Sequence, residues 1–301
     1  MKWKNSGRKQ KKGKIPKIYK NLFLDETSQI YQSLKNSVEK NKNFIANLGH
    51  STFYIQINGK RILTDPFLYP FIFTVKRVIE PLRPDLLPKP DYILVSHAHY
   101  DHLDLRTLRH IDRDTTIIVQ ENTYKVVKRL GFNKVIELKH FDEFQDESIK
   151  VISLPVQHNK GRSFIYPNTE TGSYYFQIDD LKLYFGGDTA YFDKFKEYGE
   201  KFDIDIAFLP IGGFKPSLLL RHLHMNPEEA VRAFQDLKAN YVVPIHFGTF
   251  HTIKAFVHKE RALERFTNEL KKKNLLDKAI IIKPNELKEL TVNYLKEKQI
   301  A

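Results

Sequence analysis

Residues 91–104 read DYILVSHAHYDHLD. Tyr92–Val95 is a short apolar run of the kind buried on both faces of a sheet. It feeds directly into His97, His99, Asp101, His102 and Asp104. Three histidines and two acids within eight positions have no packing rationale at the exit of a buried strand. Imidazole and carboxylate together suit a divalent cation, and strand-end loops are where α/β sheets hold their ligands. His97 and His99, two apart, point the same way if the strand geometry persists. Asp101 and His102 lie past a turn, where they can serve a second ion. The spacing His-x-His-x-Asp-His is specific enough to set the expectation of a metal site.

Outward from this stretch the chain alternates short β-prone runs with helical patterns. Phe44–Leu48, Phe53–Ile57 and Arg61–Leu63 come first, the last two meeting at Asn58-Gly59, a type I′ hairpin signal. Further strands are expected at Thr115–Val119, Ile149–Leu154, Tyr174–Ile178, Leu181–Phe185, Ile204–Leu209, Tyr241–Ile245 and Ala279–Ile282. Helices are expected over Leu24–Lys42, Thr123–Leu130, Pro227–Leu237 and Lys259–Lys273, the third opened by Pro-Glu-Glu. The proline-rich segment Phe67–Pro90 reads either as a loop folded over the core or as a wall of the active site. With no internal repeat and no obvious linker, residues 21–301 are expected to form one α/β domain.

Composition bounds the chemistry. The chain has 301 residues and no cysteine, so disulfides, a thiolate nucleophile and Cys-bound zinc are excluded. Any metal site is built from His and carboxylate. No apolar run approaches the length of a membrane span, and no secretory signal is read at the N-terminus, so a cytoplasmic protein is expected. The net charge is +13. Nine Lys/Arg and no acid lie in residues 1–20, leaving +4 for the remainder. That arm is read as a disordered tail, or as a contact for anionic lipid or nucleic acid. With no second nucleic-acid module and no regular aromatic–basic array, nucleic acid is not expected as a partner.

His97-x-His99-x-Asp101-His102 resembles the signature of the metallo-β-lactamase-fold hydrolases. So, in order, do Leu48-Gly49-His50-Ser51, Thr64-Asp65-Pro66, the strand exits at His158, Gly186-Gly187-Asp188-Thr189 and His246-Phe247-Gly248-Thr249, and the segment His224-Met225-Asn226-Pro227. From about Asn43 to Arg265 the chain is similar to the branch containing the N-acylphosphatidylethanolamine phospholipases D and their bacterial relatives. It departs from them after His158, where Asn159-Lys160-Gly161-Arg162 follows.

The resemblance implies a four-layer αβ/βα sandwich with a mixed two-sheet core and two divalent metals at one edge. His97, His99 and His158 would bind one metal; Asp101, His102 and His246 would bind the other, with Asp188 bridging. Zinc is the default for this donor set, though iron or manganese tolerates the same ligands. Two metals about 3.5–4 Å apart suit attack by a bound hydroxide on a phosphodiester, or on a carbonyl such as a lactone. Asp101 is a candidate to orient that hydroxide, and Asp65 to orient a ligand histidine. His50 and His224 are candidates for phosphate binding or proton donation, with a buried structural histidine the alternative for His50. Arg162 and Lys160 are read as phosphate contacts or as exposed loop charges. His110, His140, His251 and His258 are read as ordinary histidines. The expected activity is a phosphodiesterase acting on a lipid-like or small diester, against a carbonyl-ester hydrolase or a non-catalytic binding protein. The apolar loop 67–73 and Phe214–Leu220 could line an entry for such a lipid, with the basic arm giving peripheral membrane contact.

Overall fold

The continuous apolar runs become strands because each has two faces to bury. In β1 (Phe44–Asn47), Phe44 and Ala46 face one core and Ile45 faces another. The same alternation recurs in β2 (Phe53–Ile57) and β3 (Lys60–Thr64). A computed structural model of the chain describes residues 13–214, 220–250 and 261–290. The turn joining β2 and β3 has positive φ at Asn58 and Gly59, as a type I′ hairpin requires.

A miniature hairpin, β4 (Phe71–Ile72) and β5 (Val75–Lys76), comes next, then β6 (Tyr92–Val95), α1 having preceded all of these at Gln29–Glu39. Then come α2 (Leu105–Leu108), β7 (Thr116–Gln120), α3 (Tyr124–Val127), β8 (Lys134–Leu138), β9 (Glu143–Gln145) and β10 (Lys150–Leu154). The second half holds β11 (Ser173–Ile178), β12 (Leu181–Phe185), α4 (Lys194–Lys201), β13 (Ile206–Pro210), α5 (Pro227–Asp236), β14 (Tyr241–Ile245), α6 (Ala262–Lys272) and β15 (Glu286–Glu289).

Two mixed sheets result. The first runs β15-β1-β2-β3-β6-β7-β8, and the second β14-β13-β12-β11-β10-β9. Each is antiparallel in one half and parallel in the other. One apolar core lies between the sheets, with Ile55, Leu94, Phe176 and Phe208 among its members. A second packs the outer face of the first sheet on α1, α2 and α3, and a third packs the outer face of the second sheet on α4, α5 and α6. The layers are therefore helix, sheet, sheet, helix, as expected.

Several expected boundaries move for local reasons. The helix expected over Leu24–Lys42 begins at Gln29, because the Asp25 carboxylate accepts from Thr27 and holds 25–28 in a turn. Thr123–Leu130 is helical only over α3, tightens to a 3₁₀ turn at Lys128–Leu130 and stops at Gly131, whose φ is +79°. Ala279–Ile282 is not a strand. Ala279 makes an isolated bridge to Val242, the Asn47 amide donates to the Ile282 carbonyl, and the segment crosses from the edge of the second sheet to β15 at the edge of the first. Strands β8 and β9 and helix α4 are too rich in Lys and Glu to stand out in the sequence.

Of the basic arm, residues 1–12 lie outside the described residues. Lys17–Leu22 forms a 3₁₀ turn, and Tyr19 sits 6.3 Å, centroid to centroid, from Phe71. The Phe67–Pro90 segment divides: Phe67, Leu68 and Leu82 are buried, whereas Phe73 and Val75 at the hairpin tip face solvent. Residues 215–219 and 251–260, which hold most of the expected apolar segment 214–220 as well as His251, His258 and the start of the helix expected from Lys259, lie outside the described residues. No helix among the described residues is long and apolar enough to cross a membrane.

Candidate metal centre

Every candidate ligand leaves the carboxyl end of a strand or the loop just beyond it. His97 follows β6, His158 follows β10, Asp188 follows β12 and His246 follows β14. Because both sheets present these ends along one edge, residues up to 149 positions apart in sequence converge. Ligand atoms of His97, His99 and His158 lie within 4.8 Å of one another, as do those of His50, Asp101, His102 and His246. Between the two groups stands Asp188. Its Oδ2 is 3.1 Å from His102 Nε2, 3.3 Å from His246 Nε2 and 3.9 Å from both His97 Nε2 and His158 Nε2.

Outer partners aim these rings. Asp65 is fully buried; its carboxylate accepts from the Ser96 amide (2.7 Å), the Ser96 hydroxyl (2.6 Å) and His102 Nδ1 (2.7 Å). With its one proton given to Asp65, Ser96 Oγ accepts from His97 Nδ1 at 2.9 Å. His158 Nδ1 donates to the Leu223 carbonyl at 3.0 Å. In all three rings the Nδ1 proton is thus held outward and Nε2 is left facing the centre, the tautomer a metal ligand needs. Ser96 and the Leu223 carbonyl were not read from the sequence. For Ser96 the signal was its place directly before His97; a backbone carbonyl leaves none.

Backbone geometry is specialised at the same place. His50, Asp65, Gly187 and His246 all have positive φ, a region that non-glycine residues visit at a cost, often at functional sites. A Cβ on Gly187 would lie 2.5 Å from Ser96 Cβ, and one on Gly212 only 1.9 Å from the His246 carbonyl oxygen. The loops of the two sheets therefore meet at Gly187, and two loops of the second sheet meet at Gly212, where only glycine fits.

The donor set fits a divalent cation. His97 Nε2, His102 Nε2, both ring nitrogens of His246 and Asp188 Oδ1 are buried with no hydrogen-bond partner. Orphaned polar atoms are costly in a protein interior, and here the Nε2 atoms of His97, His102 and His246 converge on Asp188. The charges agree. Burial disfavours charge on His102, but Asp188, Asp101 and Asp65 outweigh it and raise its pKa well above the ordinary histidine value. Burial is likewise outweighed by Asp188 at His246, whose pKa is raised. Burial pushes Asp188 and Asp101 upward, yet neighbouring histidines, His102 foremost, hold both well below the usual carboxylate range. Buried carboxylates are thus compensated only by protons on imidazole, and a divalent ion supplies the same charge directly.

His50 is buried, with Nε2 3.1 Å from Asp101 Oδ2. Its carbonyl accepts from the His246 amide at 3.0 Å, and the two rings lie 3.9 Å apart, centroid to centroid. His224 Nδ1 is 3.8 Å from Asp188 Oδ2. Burial lowers both His50 and His224 to about 3 and His99 to about 4, and it holds His97 well below the ordinary histidine value. Asp104 caps α2, accepting from the amides of Arg106 and Thr107. Arg162 is neither exposed nor free: Nη1 donates to the carbonyls of Ala98 (2.6 Å) and Leu103 (2.8 Å), and its guanidinium carbon lies 4.1 Å from the centre of the Tyr100 ring. Lys160 is an exposed charge paired with Glu170. His110 lies 3.5 Å from the Tyr69 hydroxyl and His140 2.8 Å from the Thr171 carbonyl, both away from the centre.

Residues 60–247 match the profile of the family described as a beta-lactamase superfamily domain. The chain is 32% identical over 240 residues to a UPF0173 metal-dependent hydrolase of an Exiguobacterium species, covering 79% of this chain and 95% of that one. It is 33% identical over 219 residues to the mitochondrial N-acyl-phosphatidylethanolamine-hydrolyzing phospholipase D of Saccharomyces cerevisiae, covering 67% of this chain and 47% of that one. Uncharacterised mycobacterial relatives are 32% identical, and the chain spans 58% of their length. Among solved structures, that of a possible metal-dependent hydrolase from Veillonella parvula superposes with a TM-score of 0.66 at 19% identity, covering 83% of this chain and all of that one. That likeness concerns the fold.

Proposed function

This chain belongs to the metallo-β-lactamase superfamily, and we propose that it is a dinuclear metal-dependent hydrolase acting on a phosphodiester, lipid-like or small. The observation that carries the reading is the pair of ligand groups on either side of Asp188, each with buried and otherwise unpartnered ligand atoms. His97, His99 and His158 would hold one ion, and Asp101, His102 and His246 the other, with Asp188 between them. Two such ions supply a nucleophilic water of lowered pKa and charge to neutralise a phosphoryl oxygen. Zinc suits this set; iron or manganese would be accepted.

The remaining work falls to the chain's own groups. Asp65 fixes two ring orientations, that of His102 directly and that of His97 through Ser96, one ring in each group. His50 donates Nε2–H to Asp101 and so fixes the carboxylate that would help to hold the second ion. His224, neutral at physiological pH, is suited to donate a hydrogen bond to a phosphate oxygen rather than to protonate a leaving group. The similarity to phospholipases that hydrolyse a phosphatidylethanolamine derivative supports the phosphodiester over the carbonyl substrate.

Hydrolysis of bis(p-nitrophenyl) phosphate by metal-reconstituted protein tests this, with metal content measured on the parent, His99→Ala and Asp188→Asn. The expected result is two ions per chain and turnover that both substitutions abolish. Two ions without diester turnover would transfer the activity to lactones or other carbonyl esters. Folded, reconstituted protein that retains no metal would overturn the reading in favour of a binding protein.

A further inference from the structure

Two loops flank Tyr100, which stands between the ligands His99 and Asp101. The β4–β5 hairpin sets Phe73 against the Tyr100 ring, with centroids 4.8 Å apart. On the other side Arg162 packs on the same ring, and the chain turns outward through Phe164 and Ile165. Eight large hydrophobic side chains are exposed among the described residues. Phe73, Val75, Val78, Phe164 and Ile165 lie on these two loops, and Ile18 lies on the 3₁₀ turn whose Tyr19 contacts Phe71. Phe164 is completely exposed and Phe73 is 74% exposed. Scattered apolar side chains are ordinary on a surface; six of eight gathered beside one site are not.

An inward-turned arginine anchors each loop, Arg77 buried and Arg162 half-buried. Arg77 donates to the carbonyls of Phe67 (2.7 Å) and Leu48 (2.8 Å), beside the segment that carries His50. Arg162 donates to those of Ala98 and Leu103, inside the segment that carries His97 to His102. The apolar tips are therefore tied to the metal loops. Between them lies a cleft of about 310 Å³ walled by Ile72, Phe73, Tyr100, Leu105, Arg106, Arg162 and Asp104, the last paired with Arg106.

The segments that carry the tips hold charge of one sign. Segments 71–79, 159–168 and 13–24 contain no acid, although the chain has 36. Lys14, Lys17, Lys20 and Lys76 on these segments are exposed. Apolar tips accompanied by exposed lysines fit a surface that offers an acyl boundary beneath anionic headgroups. A small soluble ligand would leave the tips in water.

We propose that the 73–78 and 163–165 tips, with the lysines of 14–20, form a docking face for an anionic lipid bilayer. The face turns the Tyr100 cleft and the metal centre toward the bilayer. Its purpose rests on the reading of a lipid-like diester, but its existence is measured without turnover.

The test is sedimentation of the full chain with phosphatidylcholine vesicles, with or without phosphatidylglycerol. The parent is compared with Phe164→Ser/Ile165→Ser, with Phe73→Asn, which suits the positive φ at that position, and with Phe141→Ser. The last removes an exposed phenylalanine in the β8–β9 connection. The parent and Phe141→Ser should bind phosphatidylglycerol vesicles. The double variant and Phe73→Asn should each bind about tenfold more weakly or worse, while the double variant keeps its metal content and soluble-diester turnover. No binding by the parent would overturn the proposal, and so would binding that the tip variants leave unchanged. A concentration-dependent dimer in sedimentation velocity that the double variant abolishes would also overturn it, making the face a contact between copies. Tip-dependent binding without diester turnover would leave the docking face standing and remove only the phosphodiesterase reading.

Discussion

The two sheets contribute to the same centre in opposite styles. The first sends one loop, 96–104, carrying His97, His99, Asp101 and His102, and braces it with Asp65 from the end of β3. The second sends one proposed ligand from each of three strands: His158 beyond β10, Asp188 beyond β12 and His246 beyond β14. A loop that concentrates its ligands needs a local brace, because adjacent imidazoles and carboxylates must be held at fixed angles against their own repulsion. Ligands dispersed over strand ends are positioned by the sheet itself, and their demand is for clearance where the sheets meet. The first sheet's part of the site is thus hydrogen-bond-limited and the second's is space-limited.

The largest effect expected from that contrast is at Gly187, where the two loops touch. Gly187→Ala places a methyl group 2.5 Å from Ser96 Cβ on a backbone with φ of +58°. It should cost about 2 kcal/mol or more in chemical denaturation and depress the metal content of both groups. Unchanged stability and full loading would show that the sheets are not close-fitted there. Asp65→Asn probes the brace instead. The one remaining oxygen can still accept from the Ser96 amide, but an NH2 group replaces the oxygen that accepted from the Ser96 hydroxyl and His102 Nδ1, so metal affinity should fall about 10- to 100-fold by competition with a chelator. The His97, His99 and His158 group should keep its ion better than the other group. Equal loss from both would mean that the brace acts on the whole site.

Protonation separates the two groups more gently. With metal stripped, His50, His97, His99 and His224 have folded pKa values well below the ordinary value. Below about pH 6.5 the unfolded chain binds protons there that the folded chain refuses, so stability is full above that pH and falls as pH drops. Each such histidine contributes up to about 1.4 kcal/mol per pH unit. His102 and His246, with raised values, act in the reverse sense. Their stabilisation is full below about pH 6.5 and is lost as pH rises through their folded values. Urea titrations from pH 5 to 9 should therefore show a stability maximum for the stripped protein, with both flanks reduced on metal loading; a monotonic profile would contradict this. The smallest effect lies outside the contrast. Asn226→Ala removes the capping box at the start of α5 and should cost about 1 kcal/mol with metal content unchanged.

Legibility followed the same division. The loop 96–104 could be read directly, since five polar groups at the end of an apolar strand have no role in a core. His158 and His246, each alone at a strand exit, looked like ordinary histidines until the order of motifs was set beside the family pattern. Ser96 was hidden because a serine before a histidine is common; its role exists only through Asp65, 31 residues earlier. Arg162 was read as a phosphate contact or a surface charge, whereas the fold turns it inward onto two carbonyls. Strand β8 was masked by Lys134 and Glu137 within its apolar run, and β9 by its length of three residues.

By itself, then, the sequence determined a cysteine-free α/β chain, a His/Asp donor set, the strands that carry it and a basic N-terminal stretch. These follow from residue chemistry and from period-two burial, both properties of short segments. Only the tertiary structure decided that two sheets align their strand ends at one edge, that Asp188 stands between two ligand groups and that separate apolar tips share the face beside Tyr100. Those are relations between residues distant in the chain, created when the sheets close on a common core, and no local pattern encodes them.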